Sequence, residues 1–130
     1  MSAVKLIESV SHLKSYEVHA HVYPSQFLDR DVKVDVYKPQ MLQQTEIPSL
    51  LIVNDGQDLP RMPFAPIIDG LFTKKEIRPL IVVAIHCNED RKLEYGTADL
   101  LDYVNRGSRA KYHRKFLLEE LVPFVRREYY

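Results

Sequence analysis

Hydrophobic and polar positions alternate cleanly in two early stretches. Tyr16, Val18, Ala20 and Val22 share one parity, with Glu17, His19, His21 and Tyr23 on the other. Val32, Val34 and Val36 then alternate with Asp31, Lys33 and Asp35. Period-two alternation rich in β-branched residues predicts half-buried strands. The polar stretch from Pro24 to Arg30 has the length of a hairpin connection, so an antiparallel pair with one wet face is expected.

The pattern then changes. Ile47 to Val53 is a near-continuous apolar run that stops at Asn54-Asp55-Gly56, and Pro79 to Ile85 is a second that stops at His86-Cys87-Asn88. Such runs predict strands buried on both faces, as in a parallel sheet. The chain between them has room for a crossover. A helix over Phe64 to Glu76 fits, because Ile67, Ile68, Leu71 and Phe72 fall at helical spacing, with Asp69 and Lys74-Lys75-Glu76 outside. A final helix starts at Ser108 as N-cap and carries Ala110, Leu117, Leu121 and Phe124 on one face. Pro123 inside that pattern predicts a kink or an early last turn.

The predicted order is strand, strand, strand, helix, strand, helix. That is the opening of an α/β sheet with antiparallel first strands, parallel later ones and crossover helices, in three αβα layers. A second crossover helix delivers a chain into another parallel strand, and none follows. The expectation is therefore one domain over residues 1–130 that is incomplete, the N-terminal portion of a larger α/β sheet.

Composition narrows the class. Eighteen Lys+Arg balance 18 Asp+Glu in 130 residues, and a net charge of zero argues against nucleic acid. No apolar run approaches the roughly 18 residues of a membrane span, and Lys5 and Glu8 interrupt any signal-peptide core. A cytoplasmic protein with no membrane partner is expected. One cysteine excludes an internal disulfide framework and a cysteine-rich zinc site.

Ligands of α/β sheets bind off the carboxyl ends of parallel strands. Two such ends are visible, Asn54 to Asp58 and His86 to Asp90. In the first, Gly56 lets the backbone take positive φ or approach a ligand closely. In the second, Cys87 lies beside His86, but neighbours at a strand end point to opposite sides, so His86 is poorly placed as its base. His19 and His21 share a parity without a third ligand, which reads as an exposed strand face rather than a metal site. Arg91, Glu94 and Arg106 are loop-fixing or substrate-rim residues. Glu119 and Glu120 are a solvated face, or one of them tethers a neighbouring loop.

Three blocks in order carry a resemblance. Leu50-Leu51-Ile52-Val53-Asn54-Asp55-Gly56-Gln57-Asp58, then Ile81 to Tyr95 with its Asn88, Arg91, Glu94 and Tyr95, then Tyr112, Phe116, Glu120-Leu121, Pro123 and Tyr129 are similar to motifs of the putative-esterase family of α/β-hydrolases. That family includes esterase D, enterochelin esterases, feruloyl esterases and the mycobacterial mycolyltransferases. The resemblance covers roughly residues 47 to 130 and implies a serine esterase with a Ser-His-Asp/Glu triad and an acyl-serine intermediate. In such a fold the nucleophile sits on a G-x-S-x-G elbow, with the acid and histidine later in the chain. No G-x-S-x-G occurs here, so all three are expected beyond Tyr130.

What the resemblance places in this chain is one side of the oxyanion hole. The backbone N–H of Gln57 would donate to the tetrahedral intermediate, and Asp55 and Gly56 would shape its turn. Arg91, Glu94 and Arg106 would form the substrate rim. His86-Cys87 departs from the family pattern before Asn88. The partner implied is a small-molecule ester, with no cofactor or metal and with homo-oligomerisation left open. The 130-residue chain alone is expected to be inactive. The alternative is a non-catalytic binding or interaction module whose open sheet edge pairs with a partner.

Overall fold

The computed structural model describes residues 5–10, 13–43, 45–95 and 107–130. Five strands form one sheet: β1 (Lys5–Val10), β2 (Tyr16–Ser25), β3 (Arg30–Pro39), β4 (Ser49–Asn54) and β5 (Leu80–Ile85), in the order β1-β2-β3-β5-β4. β1 runs antiparallel to β2, β3 antiparallel to β5, and β4 parallel to β5. The helix α1 (Phe64–Thr73) supplies the predicted crossover between β4 and β5. Two compact units result, Met1–Tyr23 with Val32–Cys87, and Pro24–Asp31 with Asn88–Tyr130.

In the first unit α1 packs on one face of the sheet. Tyr16, Tyr37, Leu59, Ile68, Val82 and Ala84 form a buried cluster, with Val18, Phe64 and Phe72 packed against it. The rings of Tyr16 and Tyr37 meet Phe72 and Phe64 edge-on at 5.4 and 5.2 Å. Cross-strand partners share a face, and Tyr37 lies opposite Val82 whereas Val36 lies opposite Val83. Val32, Val34 and Val36 therefore face away from α1, and they too are fully buried. The apolar rows of β2 and β3 are thus out of phase. The expected wet face of the hairpin does not exist, because each strand contributes its main apolar row to a different side. His21, expected on an exposed face, is buried at 9% exposure.

β5 is buried along its length as predicted, but β4 is not. Its residues are exposed or half-buried, none of them buried, and Leu51 is 42% exposed. Among the described residues β4 ends the strand order, so only one flank is paired. β1 was not predicted. Its pairing with β2 shifts between Leu6 and Glu8, and such a bulge destroys the period-two pattern that reveals a strand.

Asp69, expected outside, is buried on the sheet side of α1. Its carboxylate accepts the backbone N–H groups of Lys14, Ser15 and Tyr16 at 3.0, 2.6 and 3.0 Å. An acid on an apolar helix face here anchors the start of β2 by satisfying N–H groups that would otherwise be stranded.

The second unit holds α2 (Arg91–Glu94), α3 (Ala110–Lys115), a π-helical stretch (Phe116–Leu121) and α4 (Val122–Tyr129). Ser108 is exposed and does not cap. Arg109 takes the cap position, without a side-chain cap bond. Pro123 lacks an N–H, and its ring would crowd the Glu119 carbonyl four residues back. The chain answers with the π stretch just before it rather than with a break. Phe116, Leu121, Phe124 and Val125 are all buried.

Candidate active site

The carboxyl end of β4 is held against β5. Asn54 is the last paired residue, opposite Ile85. Asp55 then takes the left-handed conformation, φ 57° and ψ 42°, which Asp and Asn tolerate better than most residues. A Cβ on Gly56 would lie 2.7 Å from the Ala84 carbonyl carbon and 2.8 Å from the Ala84 Cβ. Glycine is needed here for backbone contact with β5, not for positive φ.

A 3-10 helix (Gly56–Arg61) follows, its first turn closed by the Asp58 N–H on the Asp55 carbonyl at 3.0 Å. The N–H groups of Gly56 and Gln57 precede that bond, in the region where helical N–H groups lack an intrahelical acceptor. The Gln57 side chain reaches back to β5. Its Oε1 accepts the Cys87 N–H at 3.0 Å, and its Nε2 donates to Cys87 Sγ at 2.9 Å.

His86 turns the other way, as alternation required. Its Nε2 meets Asp35 Oδ2 at 2.6 Å. The thiol and the imidazole are therefore not a nucleophile and base pair. Asp35 also borders a cavity of about 420 Å³ lined mainly by apolar side chains, among them Val18, Tyr37, Leu59 and Met62. Burial, with the Asp35 charge adding, pushes the Tyr37 phenol up to about 12.

Of the two roles expected for Glu94, the contacts are those of a loop-fixing residue. It is 1% exposed, and its two oxygens take Arg30 Nε at 2.9 Å and Nη2 at 2.7 Å. That bidentate pair raises the guanidinium's affinity for its proton still further. Glu94 thereby ties the hairpin tip. Arg91 is exposed on α2, and Arg106 lies outside the described residues. Glu120 takes the tethering role: it accepts from Ser25 Oγ at 2.6 Å and from the Gln26 N–H at 3.0 Å. Near it in sequence, His113 is buried between Tyr95 and Phe116, and burial holds its imidazole below the ordinary pKa. Arg30 and His113 carried no sequence signal, since their partners are remote in the chain. Among the described residues no group of three or more His, Cys, Asp or Glu is placed to hold a metal ion. None of the described helices is long and apolar enough to cross a membrane.

The family model described as "Putative esterase" matches residues 25–130. The chain belongs to that family. Its fold is similar to an IroE-like serine hydrolase from Shewanella oneidensis, with TM-score 0.67 and 22% identity over 87% of this chain and 38% of that one. It is also similar to a ferulic acid esterase, with TM-score 0.64 and 15% identity over 88% and 45%. The BES protein from Bacillus cereus matches with TM-score 0.65 and 16% identity over 95% and 50%. The chain thus spans half or less of the length of these structures. A search of curated proteins finds no match. The mixed sheet and its helices are those of an α/β-hydrolase-type esterase fold.

Proposed function

We propose that this chain forms the oxyanion side of a serine esterase that cleaves small carboxylic esters through an acyl-serine intermediate. The observation that carries the reading is the turn Asp55–Gln57, pressed onto Ala84 with no room for a Cβ at Gly56. Membership of the esterase family and the likeness to a serine hydrolase support it.

In this reading a serine oxygen attacks the ester carbonyl carbon, and charge collects on the carbonyl oxygen. The Gln57 backbone N–H donates to that oxygen. A donor fixed before the reaction costs no reorganisation during it. The alcohol leaves with a proton from a histidine, and water then releases the acid from the acyl-serine. The serine, the acid and the histidine are proposed to lie beyond Tyr130 in the full-length protein. The absence of G-x-S-x-G among these 130 residues supports that placement.

The test uses p-nitrophenyl acetate and a fluorophosphonate probe on the full-length protein. Ester hydrolysis that stops when one serine is labelled is expected, with no turnover by residues 1–130 alone. A folded full-length protein without serine-dependent hydrolysis would overturn the reading and favour the non-catalytic module.

A further inference from the structure

Gln57 brings two separate hydrogen-bonding groups to one position. Its main-chain N–H is the donor proposed above, while its side chain is committed to the end of β5. The amide orientation there follows from chemistry. The Cys87 backbone N–H can only donate, so the Gln57 carbonyl oxygen must face it, which leaves the NH₂ to the sulfur. One hydrogen bond would let the carboxamide swivel, but two to the same residue fix its plane.

The surrounding contacts run in the same direction. Asn54 pairs with Ile85, Gly56 rests on Ala84, and Gln57 grips Cys87. Three positions of the outgoing turn are thereby set against three positions of the neighbouring strand end. Of these, only the Gln57 grip is made by a side chain. It also acts on the residue whose main chain carries the proposed donor.

We infer that the Gln57 carboxamide, clamped on Cys87, is a positioning group for its own backbone N–H. Anchoring the side chain restricts the backbone torsions of the same residue, and so aims the N–H. Cys87 serves as the acceptor half of the clamp and not as a nucleophile. The inference rests on the esterase reading for its catalytic meaning, but the clamp itself has a readout of its own.

The kinetic test compares variants of the full-length protein on p-nitrophenyl acetate. Gln57→Ala is expected to lower kcat about 10- to 100-fold, less than outright loss of an oxyanion donor, while KM changes less than about twofold. Cys87→Ala should lower kcat by about 3- to 10-fold, and Cys87→Ser should recover most of that loss, because a hydroxyl accepts the same N–H. The second readout is amide hydrogen exchange on the same full-length proteins, which needs no turnover. Gln57→Ala should speed exchange at Asp58, whose N–H closes the first turn on the Asp55 carbonyl, while leaving β5 unchanged.

An unaltered kcat in Gln57→Ala of an active enzyme overturns the inference. So does a fall in kcat matched by a lower unfolding midpoint and a raised KM, which marks a merely structural contact. If the full-length wild type hydrolyses no ester, the esterase reading fails separately. Exchange then decides the clamp: faster exchange in the turn upholds it, and unchanged exchange removes it.

Discussion

The turn at Asp55–Gln57 and the hairpin tip at Ser25–Arg30 are both short connections beside β-strands, yet they are held by different forces. The turn is fixed by neutral contacts: a glycine backbone against Ala84 and a carboxamide on Cys87. The tip is fixed by charge. Glu94 takes the Arg30 guanidinium, Glu120 takes Ser25 and Gln26, and Arg109 Nη2 donates to the Leu28 carbonyl at 3.2 Å. Packed backbone sets a position to within tenths of an ångström, because repulsion rises steeply. Ion pairs hold a loop firmly but act over a wider range of distances. An N–H meant to meet a developing charge needs the first kind of support. A loop that has only to stay docked is served by the second.

The largest effect is expected at the tip. Glu94→Ala leaves a half-buried guanidinium without its carboxylate, and urea unfolding should show a loss of about 3 kcal/mol. A loss below about 1 kcal/mol would mean that the pair is effectively exposed, and the contrast would collapse. Gly56→Ala should come next, at about 1–3 kcal/mol, since the clash is with backbone and cannot be relieved by a rotamer change. On the proposed esterase reading, the same variant should cost the enzyme more in rate than in stability, with kcat down about 100-fold or more. Equal, small effects on both would show that the turn has slack. Glu120→Ala should cost about 1 kcal/mol, mainly through the buried Ser25 hydroxyl, since the N–H of exposed Gln26 can turn to water.

The smallest expected effect concerns pH. Burial holds the His113 pKa below its ordinary 6.5, so the unfolded chain binds a proton that the folded one resists. Stability is then full above about pH 6.5 and falls as pH drops from that value through the lower folded pKa. His113→Gln should flatten this slope between about pH 7 and 5 in chemical denaturation. A slope unchanged by the substitution would assign the acid sensitivity to other groups. Since His113 lies in the same unit as the tip, a flattened slope would sharpen the contrast with the neutral turn.

Much of the sheet could be read from the chain because strand identity depends on local pattern. β2, β3, β5 and the crossover helix follow directly from alternation and apolar runs. The relative phase of β2 and β3 does not, because a turn's geometry decides which row faces which side. β4 and β5 look alike in sequence, yet neighbours cover only one of them on both flanks. At the candidate site, Asp55, Gly56 and Gln57 were legible as a sharp turn off a strand end. The role of Gly56 was not, since it depends on Ala84, far along the chain. For Glu94 the loop-fixing alternative could be read but its partner could not, since Arg30 is remote in sequence.

The π stretch before Pro123 bears on how related chains should be compared. Such a stretch amounts to one additional residue accommodated inside a helix without disturbing its two ends. A relative lacking that residue would run as plain α-helix through the same region and present the same faces on either side. Length differences between family members are usually assigned to loops. Here the gap belongs between Phe116 and Leu121, in the middle of a helix, and placing it in the neighbouring loop would misalign the residues that precede the stretch.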